Sequence, residues 1–147
     1  AVEHFLDYRR RLSPAIADRI NFRGIVPPAV LAAMRKSAGL TIITSRAENF
    51  PYAIAEAMAF ASPIVASRSA GTELMIEHGR TGWLVEPEAP EEIADGVEML
   101  LADPITAARL GRAAREYTIR NLSSEIVGQQ TLDFYHEAIR RFACVAD

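Results

Sequence analysis

Three short stretches of the chain are largely apolar rather than alternating: Leu40-Thr41-Ile42-Ile43-Thr44-Ser45, Ser62-Pro63-Ile64-Val65-Ala66-Ser67, and residues 82–86 around Trp83-Leu84-Val85. A strand with one wet face alternates polar and apolar side chains, so continuous runs of this length predict strands covered on both faces. A weaker run, Arg19-Ile20-Asn21-Phe22-Arg23, ends at Gly24 and reads as a fourth strand. Between and around these runs the apolar residues recur at helical spacing. The predicted helices cover 3–12, a turn opened by Ser13-Pro14, about 28–37, 51–60, 72–77, and then 91–102, 105–118 and 123–142. Gly39 stands where a helix C-cap belongs. Pro104 separates two of the late helices, and Ser123 or Ser124 caps the last, whose apolar residues are Ile126, Leu132, Tyr135 and Ile139. Strands alternating with helices give an α/β fold, a Rossmann-like parallel sheet flanked by helices, with a helical C-terminal region at about 91–142.

Size and composition narrow the class. The 147 residues suit one domain with a real core, and a hydrophobic fraction of 50% with 24% charged residues is that of a globular protein. A net charge of −3 offers no electrostatic case for nucleic acid. No apolar run reaches the roughly 18 residues needed to span a bilayer, and no leader-peptide pattern occurs in the chain. One cysteine, Cys144, cannot form an internal disulfide, which fits a reducing, cytoplasmic compartment. Any membrane association is expected to be peripheral and carried by regions outside this chain. His4, His78 and His136 are far apart, beside charged residues, and read as surface positions; none pairs with acids or cysteine at metal-ligand spacing, so no metal is expected. The arginines at 9–11 read as a solvated helix face. Gly79 and Gly82 read as turn residues with positive φ, and Trp83 as core.

The candidate chemistry lies after the strand at 40–45. Glu48 and Glu56 stand eight apart in Ser45-Arg46-Ala47-Glu48-Asn49-Phe50-Pro51-Tyr52-Ala53-Ile54-Ala55-Glu56-Ala57-Met58-Ala59. Glu56 is surrounded in sequence by apolar residues, so it is expected either to reach solvent or to bind something polar, an arginine included. A helix starting near Phe50 leaves the N–H groups of Phe50, Tyr52 and Ala53 unpaired at the positive end of its dipole, a natural anion site, although Pro51 removes one donor. In open α/β sheets this strand–loop–helix junction is where ligands bind.

The ordered set Glu48-x7-Glu56-Ala57-Met58-Ala59-Phe60-Ala61-Ser62-Pro63-Ile64-Val65-Ala66-Ser67, followed by Ala70-Gly71-Thr72-Glu73 and Gly79-Arg80-Thr81-Gly82, resembles the donor-binding half of the retaining glycosyltransferases of family 4, from about Asn21 to about Ala138. Those enzymes have two Rossmann-like domains, the GT-B architecture. The resemblance implies a single partial nucleotide-sugar-binding domain over 1–147, N-terminally truncated and without the acceptor domain. It implies a nucleotide-diphosphate sugar as donor of a hexose-type unit, with no cofactor and no obligatory metal. It further implies that Glu48 is catalytic and holds sugar hydroxyls, that Glu48, Asn49, Phe50, Pro51, Tyr52 and Ala53 contact the sugar and phosphates, and that Glu56 holds the ribose hydroxyls. The family's Gly-Phe-Gly after the first acid is Asn49-Phe50-Pro51 here, and its Gly-Gly-x-x-Glu loop begins with Ala70, which a plain helix start explains equally well. Its basic phosphate contacts have no counterpart in the chain.

Two other readings share the architecture: a nucleotide-binding or interaction module without chemistry, and a nucleotide-sugar epimerase. The Glu-x7-Glu element favours the transferase. In the family's strand order, 3-2-1-4-5-6, the strands at 19–23, 40–45, 62–67 and 82–86 would be the third to sixth. The sheet is therefore expected either to leave a gap of roughly 14 Å between 19–23 and 40–45, the outcome favoured here, or to close by pairing them directly.

Overall fold

The computed structural model describes residues 2–143, and side chains over 5–142. Cys144 lies outside the described residues, and so does the side chain of His4. The chain divides into two compact units, 1–34 and 35–147.

The first unit contains α1 (Val2–Arg9), α2 (Pro14–Ala17) and the opening turns of α3 (Pro28–Ser37). Its aromatic contact is a stack of Phe5 on Phe22, ring centroids 4.6 Å apart. Arg9 donates to the Ala17 carbonyl at 3.1 Å and pairs with Asp18. Residues 20–23, expected within a strand over 19–23, are irregular, and Gly24, expected to end it, turns with φ +59°. An extended segment becomes a strand only by satisfying its backbone groups across a ladder. Arg19–Arg23 has no ladder partner among the described residues, so the expectation of a fourth strand is corrected.

The second unit is a three-stranded parallel sheet, β1 (Thr41–Ile43), β2 (Ile64–Ser67) and β3 (Trp83–Val85), in the order β1-β2-β3. Thr41 pairs with Ile64, Ile42 with Val65, Val65 with Trp83 and Ser67 with Val85. This is the adjacency expected of the family's last three strands. β1 is an edge strand with Ile42 49% exposed, whereas every residue of β2 is buried. The helices are α4 (Tyr52–Ala59), α5 (Ala70–Glu73), α6 (Pro90–Ala102), α7 (Pro104–Asn121) and α8 (Ser124–Ala143).

Two layers of core follow from the alternation along β2. Ile64 and Ala66 face Ile54, Ala57 and Met58 of α4 together with Met75, Ile76, Leu84 and Ala114. Val65 faces the other way, toward Val85, Leu100, Ala107 and Leu110. Helix α7 serves both layers, and Gly111 allows its approach, since a Cβ there would overlap the Ala61 carbonyl. Asp103 caps α7 by accepting from the N–H groups of Ile105 and Thr106, so Pro104 sits at the first helical position instead of merely interrupting a helix. Ser123 caps α8. The apolar residues of α8 foreseen at helical spacing are outward: Leu132, Tyr135 and Ile139 are all exposed.

Two glycine readings change. Gly39 is not left-handed. Gly79 has φ +75° as expected, but Gly82 does not take positive φ; it is small because Ile76 Cγ2 lies 2.9 Å from where its Cβ would be. His78 is exposed, yet its Nδ1 accepts the Leu84 N–H at 3.0 Å and its ring tilts onto Trp83 at 4.4 Å. Trp83 is half-buried over Gly96.

Candidate functional site

The loop after β1 carries Glu48, and its position is set by backbone packing against α5. The Gly71 N–H donates to the Glu48 carbonyl at 2.8 Å. A Cβ on Gly71 would overlap the backbones of both Glu48 and Asn49. A side chain at that position is therefore incompatible with the loop where it lies. Ser69 caps α5, accepting from the Thr72 N–H at 3.3 Å while its hydroxyl shares a 2.8 Å hydrogen bond with Thr72 Oγ1. The small residues of Ala70-Gly71-Thr72 are thus a clamp on the Glu48 loop. Sequence reasoning gave this loop little weight. The signal that could have found the clamp was a glycine two residues after a capping serine, in Ser69-Ala70-Gly71.

Glu48 is half-buried, and its carboxylate makes no hydrogen bond or ion pair among the described residues. Asn49 and Phe50 are exposed, Pro51 is buried, and Tyr52 and Ala53 are exposed at the first turn of α4, which begins one residue later than the 51–60 expected. Phe50 and Tyr52 meet edge to face at 5.7 Å. Ile54 and Ala55 donate back to the Pro51 carbonyl, which leaves the N–H groups of Tyr52 and Ala53 as the free donors at the positive end of α4.

Glu56 reaches solvent and is also paired, the two outcomes the sequence offered as alternatives. Its side chain is 53% exposed, and Oε2 accepts from Arg35 Nη1 at 2.6 Å. The apolar neighbours in sequence do not surround it in space. Ile54, Ala57 and Met58 form the inward face of α4, and the 3.6-residue period turns Tyr52, Glu56 and Ala59 outward. Arg35 comes from the last turn of α3, and sequence reasoning did not single it out.

Further along the carboxyl ends of the strands, Thr44, Arg46, Ser67, Glu88, Pro90 and Ile93 line an open pocket of about 330 Å³. Both arginines at this end are engaged: Arg46 with Glu88 at 2.8 Å, and Arg68 with Glu73 and Glu86 at 2.8 and 3.0 Å. A larger surface pocket of about 530 Å³ between the 73–81 segment and α7 includes neither Glu48 nor Glu56. Among the described residues, no group of three or more histidines, cysteines or acids is placed to hold a metal ion.

A parallel three-layer α/β unit with an acidic loop and a helix N-terminus at the carboxyl edge of its sheet defines the class: a Rossmann-like domain of the kind that binds a ligand at that edge. Comparison with known proteins then fixes the family. Residues 10–117 match the family described as "Glycosyl transferases group 1", and the chain belongs to it. The D-inositol 3-phosphate glycosyltransferase of Corynebacterium diphtheriae is 35% identical over 116 residues, which is 79% of this chain and 27% of that protein. A sucrose-phosphate synthase structure from Thermosynechococcus elongatus superposes with a TM-score of 0.78 at 29% identity, over 84% of this chain and 31% of that one. Anabaena HepE, solved in complex with UDP, superposes at 0.84 with 24% identity over 92% of this chain and 36% of that one, a likeness of fold. The chain thus spans less than a third of the length of that glycosyltransferase and of that synthase. No helix among the described residues is long and apolar enough to cross a membrane.

Proposed function

We propose that this chain is the donor-binding part of a retaining glycosyltransferase that takes a nucleotide-diphosphate sugar and transfers a hexose-type unit to an acceptor held by another part of the protein. The observation that carries the reading is the contrast at the carboxyl edge: a half-buried, unpartnered Glu48 on a loop clamped by Gly71, beside the open first turn of α4 and the outward Glu56. In this reading the diphosphate sits at the N–H groups of Tyr52 and Ala53, within reach of Asn49, Phe50 and Pro51. Glu48 accepts from sugar hydroxyls as the catalytic acid residue of the site, and Glu56 accepts from the ribose diol, each a charge-assisted hydrogen bond. Charge that develops on the leaving diphosphate is stabilised by preoriented donors at the helix start, a lever worth several kcal/mol without any metal. The UDP in the HepE structure supports a nucleotide donor. The 147-residue chain by itself is expected to transfer no sugar, because transfer requires donor and acceptor to be held in line.

The test is calorimetry with UDP, GDP and ADP and their 2′-deoxy analogues. The parent should prefer one ribonucleotide over its deoxy form, and Glu56→Gln should lose about 1–3 kcal/mol of binding for the ribose form. An unchanged preference in the mutant removes Glu56 from the site. Sustained product formation by the isolated chain would overturn the division of labour.

A further inference from the structure

We infer that Arg35 is a positioning residue for nucleotide recognition: it sets the Glu56 carboxylate for the ribose diol. The inference rests on the donor-site reading above. Its basis is the asymmetry of the Arg35–Glu56 pair. The Arg35 side chain is 13% exposed and that of Glu56 53%, with Nη1 and Oε2 2.6 Å apart. In an exposed pair both side chains wander, and the contact fixes neither. Here the cation is the nearly buried member, so its guanidinium is held by packing and needs the counter-charge. Glu56 is its acidic partner among the described residues. The mobile member is thus drawn to a fixed one, and of the many rotamers open to an outward glutamate the pair selects those that meet Arg35.

The stoichiometry of hydrogen bonding leaves room for a ligand. A carboxylate offers about four acceptor sites, and the pair uses one on Oε2. Oε1 makes no hydrogen bond among the described residues. A carboxylate fixed by one oxygen and open at the other suits two adjacent hydroxyls, and holding it there before binding removes the cost of ordering it afterwards. Lys36, the neighbouring cation, is engaged elsewhere, 6.0 Å over the Phe60 ring.

The experiment compares affinities for the preferred nucleoside diphosphate, chosen from UDP, GDP and ADP, and for its 2′-deoxy analogue, in the parent, Arg35→Met, Arg35→Lys, Glu56→Gln and the Arg35→Met/Glu56→Gln double variant. The readout is the ribose-to-deoxy ratio. Arg35→Met should lower it about threefold to tenfold. Arg35→Lys keeps a charged donor and should restore most of it, because the contact is made through one nitrogen. In the Glu56→Gln background, Arg35→Met should change the ratio no further. A purely structural role would weaken both nucleotides equally and leave the ratio intact, and that result overturns the inference. If Glu56→Gln loses the preference and Arg35→Met does not, the donor site stands and the role of Arg35 falls. If neither variant changes it, or the parent binds none of the three nucleotides, both readings fall. Should Arg35→Met not fold, Arg35→Gln carries the same comparison.

Discussion

Two acidic regions of this domain are held in opposite ways. Glu48 has no side-chain partner among the described residues, yet the backbone beneath it is fixed by the Gly71 N–H and by contact too close for any Cβ. Glu56 rides on a helix whose inner face is packed, and its side chain is held by an ion pair with Arg35. One acid is positioned through its main chain and kept chemically free; the other is positioned through its carboxylate. A group kept unpaired in a half-buried place is held by the rest of the fold and has interactions to give to a ligand, whereas a paired group already spends part of its capacity on orientation.

The comparison breaks most sharply in catalysis. In a protein where this chain works beside an acceptor domain, Glu48→Gln should lower sugar transfer by about 10²–10³ while leaving thermal unfolding nearly unchanged, since the carboxylate makes no hydrogen bond or ion pair among the described residues. A fall in melting temperature would mean that Glu48 is structural. Next in size is the clamp. Gly71→Ala should cost about 2–3 kcal/mol of stability, because the loop, α5 or both must shift to admit the methyl group. Denaturant unfolding checks it, and a neutral outcome would show that the loop is not fixed from this side. Smaller still, Ala61 holds φ +55° at the end of α4, where Ser62 and Ala61 donate back to Ala57 and Met58 in the manner of a helix C-cap. Glycine takes that conformation without the steric penalty, so Ala61→Gly should stabilise by about 0.5–1 kcal/mol, net of the entropy glycine adds to the unfolded chain. A loss of stability would refute the strain at that residue.

The smallest effect is pH-dependent and lies away from both acids, which makes it a control. The Asp103 carboxyl is held below its ordinary value of 3.8, chiefly by the backbone hydrogen bond from Thr106, with help from the Thr106 side chain, Ile105 and Arg109 and against a desolvation effect. A carboxyl depressed in the folded state contributes stability that is fully present above the unfolded value and is lost as pH falls through the folded one. The contribution should therefore fade below about pH 3.8. Asp103→Asn keeps a capping oxygen and should flatten that part of the stability–pH curve. An unchanged curve would remove Asp103 as its source.

Much of this was legible in the residues. The continuous runs at 40–45, 62–67 and 82–86 each contain an observed strand, and helix 28–37 appears with the bounds expected. Periodicity carries that far because burial on both faces leaves a composition that no solvent-facing segment shares. The ordered motif from Glu48 to Gly82 carried the family. Arg19–Arg23 failed because an apolar run states only what a strand would bury, and strand formation also requires a partner. The exposure of Glu56 was left open between two alternatives because alanine is tolerated on either face of a helix. Counting from Ile54 and Met58 would have put Glu56 outside, but the surrounding alanines hid the stripe.

What the sequence determined alone is the parallel sheet, the helices that flank it and the family, since these follow from period, spacing and residue type within short windows. The tertiary structure decided which acid is free and which is paired. Arg35 and Glu56 are 21 residues apart, and Gly71 lies 23 residues beyond Glu48. No local pattern encodes either meeting. Each depends on how the residues around Arg35, α4 and α5 pack within the second unit, where a tenth of a nanometre decides between a hydrogen bond, a clash and open solvent.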